Sequence, residues 1–252
     1  MSNIKRIDRV GETGVNKQGL QMEIIGYKDR RHVDVLFSDG CIRKGIQYDC
    51  FLSGAARSLL YPEFLGVGFF GEGKYKARVN GAKTRAYINW SSMLTRCYSE
   101  KYIKRRNYER CSVCSDWLNF QTFAKWHELN YYSVANDTVE LDKDIIKKGN
   151  DVYSPETCIY VPHKLNTIIC NRHNNRGEYP VGICKQKDKY IVSCNIAGNQ
   201  TYIGSYEIIE DAFAAYKDTK EREIRRAAEA YRNIIPDYII DHILAYRVEI
   251  TD

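Results

Sequence analysis

The spacing of apolar and polar positions changes twice along the chain. Up to about residue 82 the apolar residues fall in short alternating runs, Met22 to Tyr27, His32 to Phe37 and Cys41 to Ile46, the period of half-buried strands. Asp39-Gly40 separates two of these runs, and that dipeptide favours a tight hairpin because both residues tolerate positive φ. The pattern predicts a small twisted β domain over 1–82. Glycines 66, 68, 71 and 73 follow, but no Gly-Lys-Ser/Thr ending and no helical pattern come after them, so the stretch is not a phosphate-binding loop.

From residue 83 the period becomes helical. Trp90, Met93, Leu94, Cys97 and Tyr98 make one apolar stripe of a helix beginning near Tyr87. A second helix is expected after Ser115, an N-cap residue, burying Trp117, Phe120, Phe123 and Ala124 and extending to His127. Val139 to Ile145, a turn at Lys147-Lys148-Gly149-Asn150, Thr157 to Val161 and a helix opened by Pro162 then read as strand, loop, strand, helix. Beyond about residue 176, three strands are predicted at Val181 to Cys184, Tyr190 to Ile196 and Thr201 to Gly204. A long helix from Glu207 to about Ile234 carries Tyr216, Lys220, Ile224, Ala227 and Ala228 on one stripe, and Pro236 separates it from a last helix over Asp237 to Tyr246. The fold class is α+β, in three regions, 1–82, 83–175 and 176–252.

With 252 residues the chain can bury cores without covalent staples. Its longest apolar stretches fall short of the roughly 20 residues that a membrane span needs. No basic segment followed by an apolar stretch opens the chain, so a cytoplasmic protein with no membrane partner is expected. The net charge of +6, from 38 cationic and 32 anionic residues, is modest but clustered. Lys101, Lys104, Arg105, Arg106 and Arg110 crowd one segment; Arg172, Arg176, Lys185, Lys187 and Lys189 crowd another. Tyrosines interleave with both groups, a combination that suits a phosphate-lined polymer. The nine cysteines are an odd number without an export signal, so reduced thiols are expected. Cys111-x-x-Cys114 and Cys170-x-x-His173 have ligand spacing for zinc, but the second pair lies at the end of an apolar helix and lacks a knuckle, so zinc is not expected.

Two stretches carry family resemblances. Leu141-Asp142-Lys143-Asp144-Ile145, Gly149-Asn150, Tyr153-Ser154-Pro155-Glu156-Thr157-Cys158-Ile159-Tyr160-Val161-Pro162 and Asn166 resemble the ββα-metal core of HNH endonucleases. The upstream Trp90-x-x-Met93-x-x-x-Cys97-Tyr98 and Trp117-x-x-Phe120-x-x-Phe123-x-x-Trp126 resemble what precedes that core in phage-encoded members. Tyr179-Pro180-Val181-Gly182-Ile183, Lys189-Tyr190, Tyr202-Ile203-Gly204-Ser205-Tyr206 and Glu210-Asp211-Ala212-Phe213-Ala214-Ala215-Tyr216 are similar to the APETALA-type DNA-binding domain, also called ethylene-response-factor or integrase-type, a three-stranded sheet backed by a helix. The order of the two domains is like that of phage homing-type endonucleases.

The first resemblance implies cleavage of duplex DNA in a bacterial host cell with Mg²⁺ or Mn²⁺, which offsets charge on the phosphate and leaving oxygen while a base activates water. Position by position, it puts Asp142 and Asn166 on the metal. Two positions depart from the pattern: Lys143 stands where the His base belongs, and Thr157 where a structural Asn belongs. A lysine flanked by Asp142 and Asp144 is a poor base and a better phosphate holder. His163, one turn before Asn166, is the nearby imidazole that could serve instead. The second resemblance puts one sheet face on DNA, with Lys185, Lys187 and Lys189 on phosphates and Ile191, Ser193, Asn195, Gln200 and Tyr202 turned away from the helix. These expectations describe a DNA-cutting protein. The alternative is an inactive descendant that keeps its hold on DNA and acts as a regulator or as an inhibitor of another protein. The 1–82 region shows no legible chemistry and is a candidate surface for a protein partner or a second copy of the chain.

Overall fold

In the computed structural model, residues 8–102, 110–169 and 178–251 are described. The alternating runs become strands β1 (Thr13–Val15), β2 (Gln21–Asp29), β3 (His32–Phe37) and β4 (Ile42–Ile46), an antiparallel sheet in chain order. Asp39-Gly40 makes the β3–β4 turn: Gly40 has φ 85°, and the Asp39 carboxylate accepts from Cys41 N at 3.0 Å and the Ser58 hydroxyl at 2.6 Å. Met22, Ile24, Val33, Val35 and Phe37 point into a core closed by Tyr48 and Phe51 of helix α1 (Tyr48–Leu52).

A short hairpin of β5 (Arg78–Val79) and β6 (Ala82–Lys83) leads into α2 (Arg85–Tyr98). The helix starts two residues before Tyr87 because Thr84 Oγ1 accepts from Tyr87 N at 3.3 Å and serves as the cap. Strand β7 (Ser112–Val113) precedes α3 (Ser115–Leu118) and α4 (Phe120–Asn130). The single helix expected there is two, because Asn119 turns extended and its side chain accepts from Gln121 N at 2.9 Å. Cys114, not Ser115, occupies the N-cap. The predicted stripe is buried: Trp90 lies 5.3 Å from Phe64 and 5.5 Å from Phe120 between ring centroids, and its indole N–H donates to Trp117 O at 2.7 Å. The glycine-rich stretch packs on these helices, since a Cβ at Gly68 would stand 2.6 Å from Leu94 and 2.9 Å from Trp90. Glycine is there for close approach.

The chain divides into two compact units, the first ending at Glu128 and the second beginning at Leu129. In the second unit, β8 (Val139–Asp142), β9 (Val152–Tyr153) and β10 (Ile159–Pro162) precede α5 (His163–Ile169), and β8 pairs antiparallel with β10. Strands β11 (Ile183–Gln186), β12 (Lys189–Ile196) and β13 (Asn199–Tyr206) form the predicted three-stranded antiparallel sheet, followed by the long α6 (Ile209–Ala230) and α7 (Asp237–Ala245). Ala197 and Gly198, at φ 52° and 88°, make the two-residue turn of the second hairpin. One apolar core joins Ile159, Val161 and Leu165 to Val192 and Cys194 of the sheet, Ile224 of α6 and Ile240 of α7. The strand–strand–helix segment and the sheet are therefore held by the same burial, with each large apolar side chain contributing about 1.5–3 kcal/mol. Among the described residues no helix is long and apolar enough to cross a membrane.

His127 lies buried at the end of the α3–α4 stripe, with Phe123 stacked on its ring at 6.3 Å. Burial, helped by the Arg85 guanidinium, pushes its imidazole down to about 4. The unfolded chain then takes the proton near pH 6.5, before the folded chain does. The stability this group gives is complete above pH 6.5 and is lost as the pH falls toward 4. Urea unfolding of wild type and His127→Phe should show their difference change by about 3 kcal/mol across that window. A constant difference would mean that the imidazole does not titrate in the core.

Candidate functional site

The segment that resembles an HNH core has its acid at the end of β8, where the chain must turn. Asp142 is buried, and its Oδ1 accepts from Asp144 N at 2.8 Å and Ile145 N at 2.9 Å. This turn sends Ile145 into the core. Burial raises the carboxyl above its usual range, and the nearby Asp144 pushes the same way. Backbone donors and Lys143 oppose that rise.

Lys143 is placed otherwise than a phosphate-holding group would be. It is buried, pairs with Asp144 at 2.9 Å and donates to the carbonyl of Asn150. Asn150 answers through its own amide, which donates to Lys143 O at 3.0 Å and Val152 O at 2.6 Å. Lysine and asparagine thus clamp the two ends of the loop reciprocally. Thr157 closes the next turn, donating to Val152 O at 2.8 Å.

Asn166 meets a carboxylate that the sequence reading left out. Its amide donates to Glu140 Oε2 at 3.2 Å, while His163 Nδ1 stands 2.9 Å from Glu140 Oε1. Three features of the sequence bring this about. Glu140 lies two residues before Asp142 on one strand, His163 and Asn166 are one turn apart on α5, and Glu140 sits opposite Val161 in the ladder that runs into α5. The His163 and Glu140 side chains remain 55% and 43% exposed, so solvent or a ligand reaches them.

The donor set here is an imidazole, a solvent-facing carboxylate and an amide, with the buried Asp142 two residues further along the strand. Among the described residues no three His, Cys, Asp or Glu side chains converge as metal ligands. Mg²⁺ or Mn²⁺ suits such a sparse oxygen-rich set because it keeps several waters. Glu140 and Asn166 fit that ion better than Asp142, whose Oδ1 already satisfies two backbone donors. Of the zinc-spaced residues, Cys170 and His173 lie outside the described residues.

His163 borders a groove of about 830 Å³ within the second unit. Lys164 of α5, Asn195 and Gln200 of the sheet, and Lys220 and Arg226 of α6 also line it. Its floor holds Glu223, which accepts from Ala197 N at 2.8 Å and pairs with Arg226 at 2.7 Å.

The sheet register sorts the expected DNA contacts. Val192 and Cys194 are buried against α6, as alternation predicts. Ser193 pairs with Tyr202 and Asn195 with Gln200, and Gln200 Nε2 donates to Ser193 Oγ at 2.7 Å, so these four share the opposite face. Ile191 and Lys189 follow the same alternation, and Lys189 lies 3.9 Å from Glu207. Lys185 does not join them. It pairs with Tyr190, which follows the Val192 parity, and its ammonium lies 5.6 Å from that ring. Lys187 is exposed in the β11–β12 turn with φ 54°. Lys104, Arg105, Arg106 and Arg176 lie outside the described residues.

No protein-family model, curated protein or solved structure matches this chain.

If Lys143 is a loop clamp, Lys143→Met should lower stability by about 1–3 kcal/mol, because a buried carbonyl loses its donor. The salt dependence of DNA affinity should stay as in wild type. A slope reduced by about 0.9 with stability unchanged would return the lysine to the phosphate.

Proposed function

We propose that the chain binds duplex DNA and hydrolyses its phosphodiester backbone with a divalent cation, as an endonuclease of the HNH type. The observation that carries this reading is the contact of Glu140 with both His163 and Asn166 at the edge of a groove lined by cations. A solvent-reached imidazole held by a carboxylate is the arrangement a general base requires: the carboxylate fixes the ring, and the other nitrogen is left to take a proton from water. Asn166 restrains the same carboxylate from its second oxygen. Glu140 and Asn166 would hold Mg²⁺ or Mn²⁺, which when bound offsets charge on the phosphate and the leaving oxygen. Lys164, with Arg226 beside its partner Glu223, would favour the polyanion along the groove, and the outer sheet face would meet the duplex.

A second reading, a DNA-binding regulator or an inhibitor of another protein, is favoured by one specific observation. Both Asp142 and Lys143 are committed to shaping a loop, so the acid and base positions of the family pattern are spent on structure. Cleavage itself separates the two. Asp142→Ala is a poor probe because it removes a buried cap and destabilises the loop. His163→Ala and Glu140→Gln change exposed side chains. In a supercoiled-plasmid assay with Mg²⁺ or Mn²⁺, wild type should nick, and either variant should slow nicking by about 10²–10⁴-fold with DNA affinity kept. A wild type that binds the plasmid and leaves it intact establishes the regulator reading.

A further inference from the structure

The first unit holds a charge asymmetry that the two basic clusters of the sequence do not include. From Gly73 to Ser99 the chain has no Asp or Glu, and it carries Lys74, Lys76, Arg78, Lys83, Arg85 and Arg96. These six cations equal the formal excess of the entire chain, +6. The fold displays most of them together. The β5–β6 hairpin is exposed at Lys76, Arg78, Val79, Asn80, Gly81, Ala82 and Lys83, with Asn80 and Gly81 at φ 50° and 80° in its two-residue turn. Among the described residues, Lys74 pairs with Glu128 at 3.1 Å, and no carboxylate stands within ion-pair distance of Lys76, Arg78, Lys83 or Arg85. Solvated cations gathered on one projecting ribbon without counter-charge leave a positive potential that a polyanion neutralises.

The exposed side of α2 continues the surface. Lys83 and Arg96 flank a pocket of about 260 Å³, and the hydroxyl-bearing Ser91, Ser92 and Thr95 line it between them. Ser91 and Thr95 donate their hydroxyls to Ile88 O and Ser91 O of the helix, so the cations and the exposed Ser92 are the groups here that can hold phosphate oxygens along a nucleic-acid backbone. A two-stranded ribbon is also one of the elements that a DNA groove admits.

We propose that the β5–β6 hairpin and the adjoining face of α2 form a second DNA-gripping surface that holds the phosphate backbone of duplex DNA independently of the three-stranded sheet. This rests on the reading of duplex DNA as the partner. Its contacts are to phosphate, so it supplies affinity and salt dependence and not sequence preference.

The test uses the full chain and a labelled duplex, with affinity measured by anisotropy over a range of salt concentrations. Three proteins are compared: wild type, Lys76→Ala/Arg78→Ala/Lys83→Ala, and Lys187→Ala/Lys189→Ala. Each lost phosphate contact lowers the log–log slope by about 0.9, so the hairpin variant should lose about 2.7 from the slope and the sheet variant about 1.8. Lys76→Arg/Arg78→Lys/Lys83→Arg should restore the wild-type slope, and melting temperatures should not move because all three sites are exposed. A hairpin variant with the wild-type slope overturns the proposal while leaving the sheet and the DNA reading standing. A wild type that binds no duplex overturns both.

Discussion

The second unit depends on one buried carboxylate. Asp142 sits at the end of β8 among apolar side chains, where an ionised group is costly, and two backbone N–H groups from the turn offset that cost. The turn then has a fixed direction: Ile145 enters the core, Lys143 folds back to the Asn150 carbonyl, and the chain re-emerges to pair β10 with β8. That pairing delivers the chain directly into α5, and it brings His163 and Asn166 beside Glu140. The exposed Glu140–His163–Asn166 contact thus follows from a turn held by a buried group.

Periodicity made most of the fold legible. Alternation gave β2, β3, β4 and β12 within a residue or two at most ends, and Asp39-Gly40 located its hairpin because the turn needs residues that accept positive φ. The split at Asn119 was not legible, since the apolar stripe runs through it unbroken and only the side-chain bond to Gln121 N ends α3. The division into units was hidden for a similar reason. A change of period marks a change of element, whereas the units are set by burial between distant segments, such as Gly68 against Trp90 in the first and Val161 with Val192 in the second.

The site was legible in part. The resemblance drew attention to His163 and Asn166 on one turn of α5 but could not separate a carboxylate that shapes a loop from one that faces solvent, because both look alike in a motif. Glu140 had its own signal, an acid two residues before Asp142 on the same strand, and Lys185 needed the register to show that it follows Tyr190. The hairpin cations were missed because they are spread out. Their signal is the absence of acids from Gly73 to Ser99, which a search for dense runs does not register.

Glu140 and Asp142 show how one strand can hold one carboxylate in the interior and present another to solvent. They are two residues apart and share chemical type, so burial and partners decide their roles. Asp142 is desolvated and held above its usual range, with backbone donors on its oxygen; it is suited to fixing a turn and poorly suited to exchanging ligands. Glu140 is 43% exposed at its side chain and bonded to an imidazole and an amide. The same reasoning explains how a lysine can occupy the position of the family's base. Lys143 closes the loop, pairing with Asp144 and donating to the Asn150 carbonyl. The solvent-facing polar contacts and the rigid turn beneath them then rest on separate side chains.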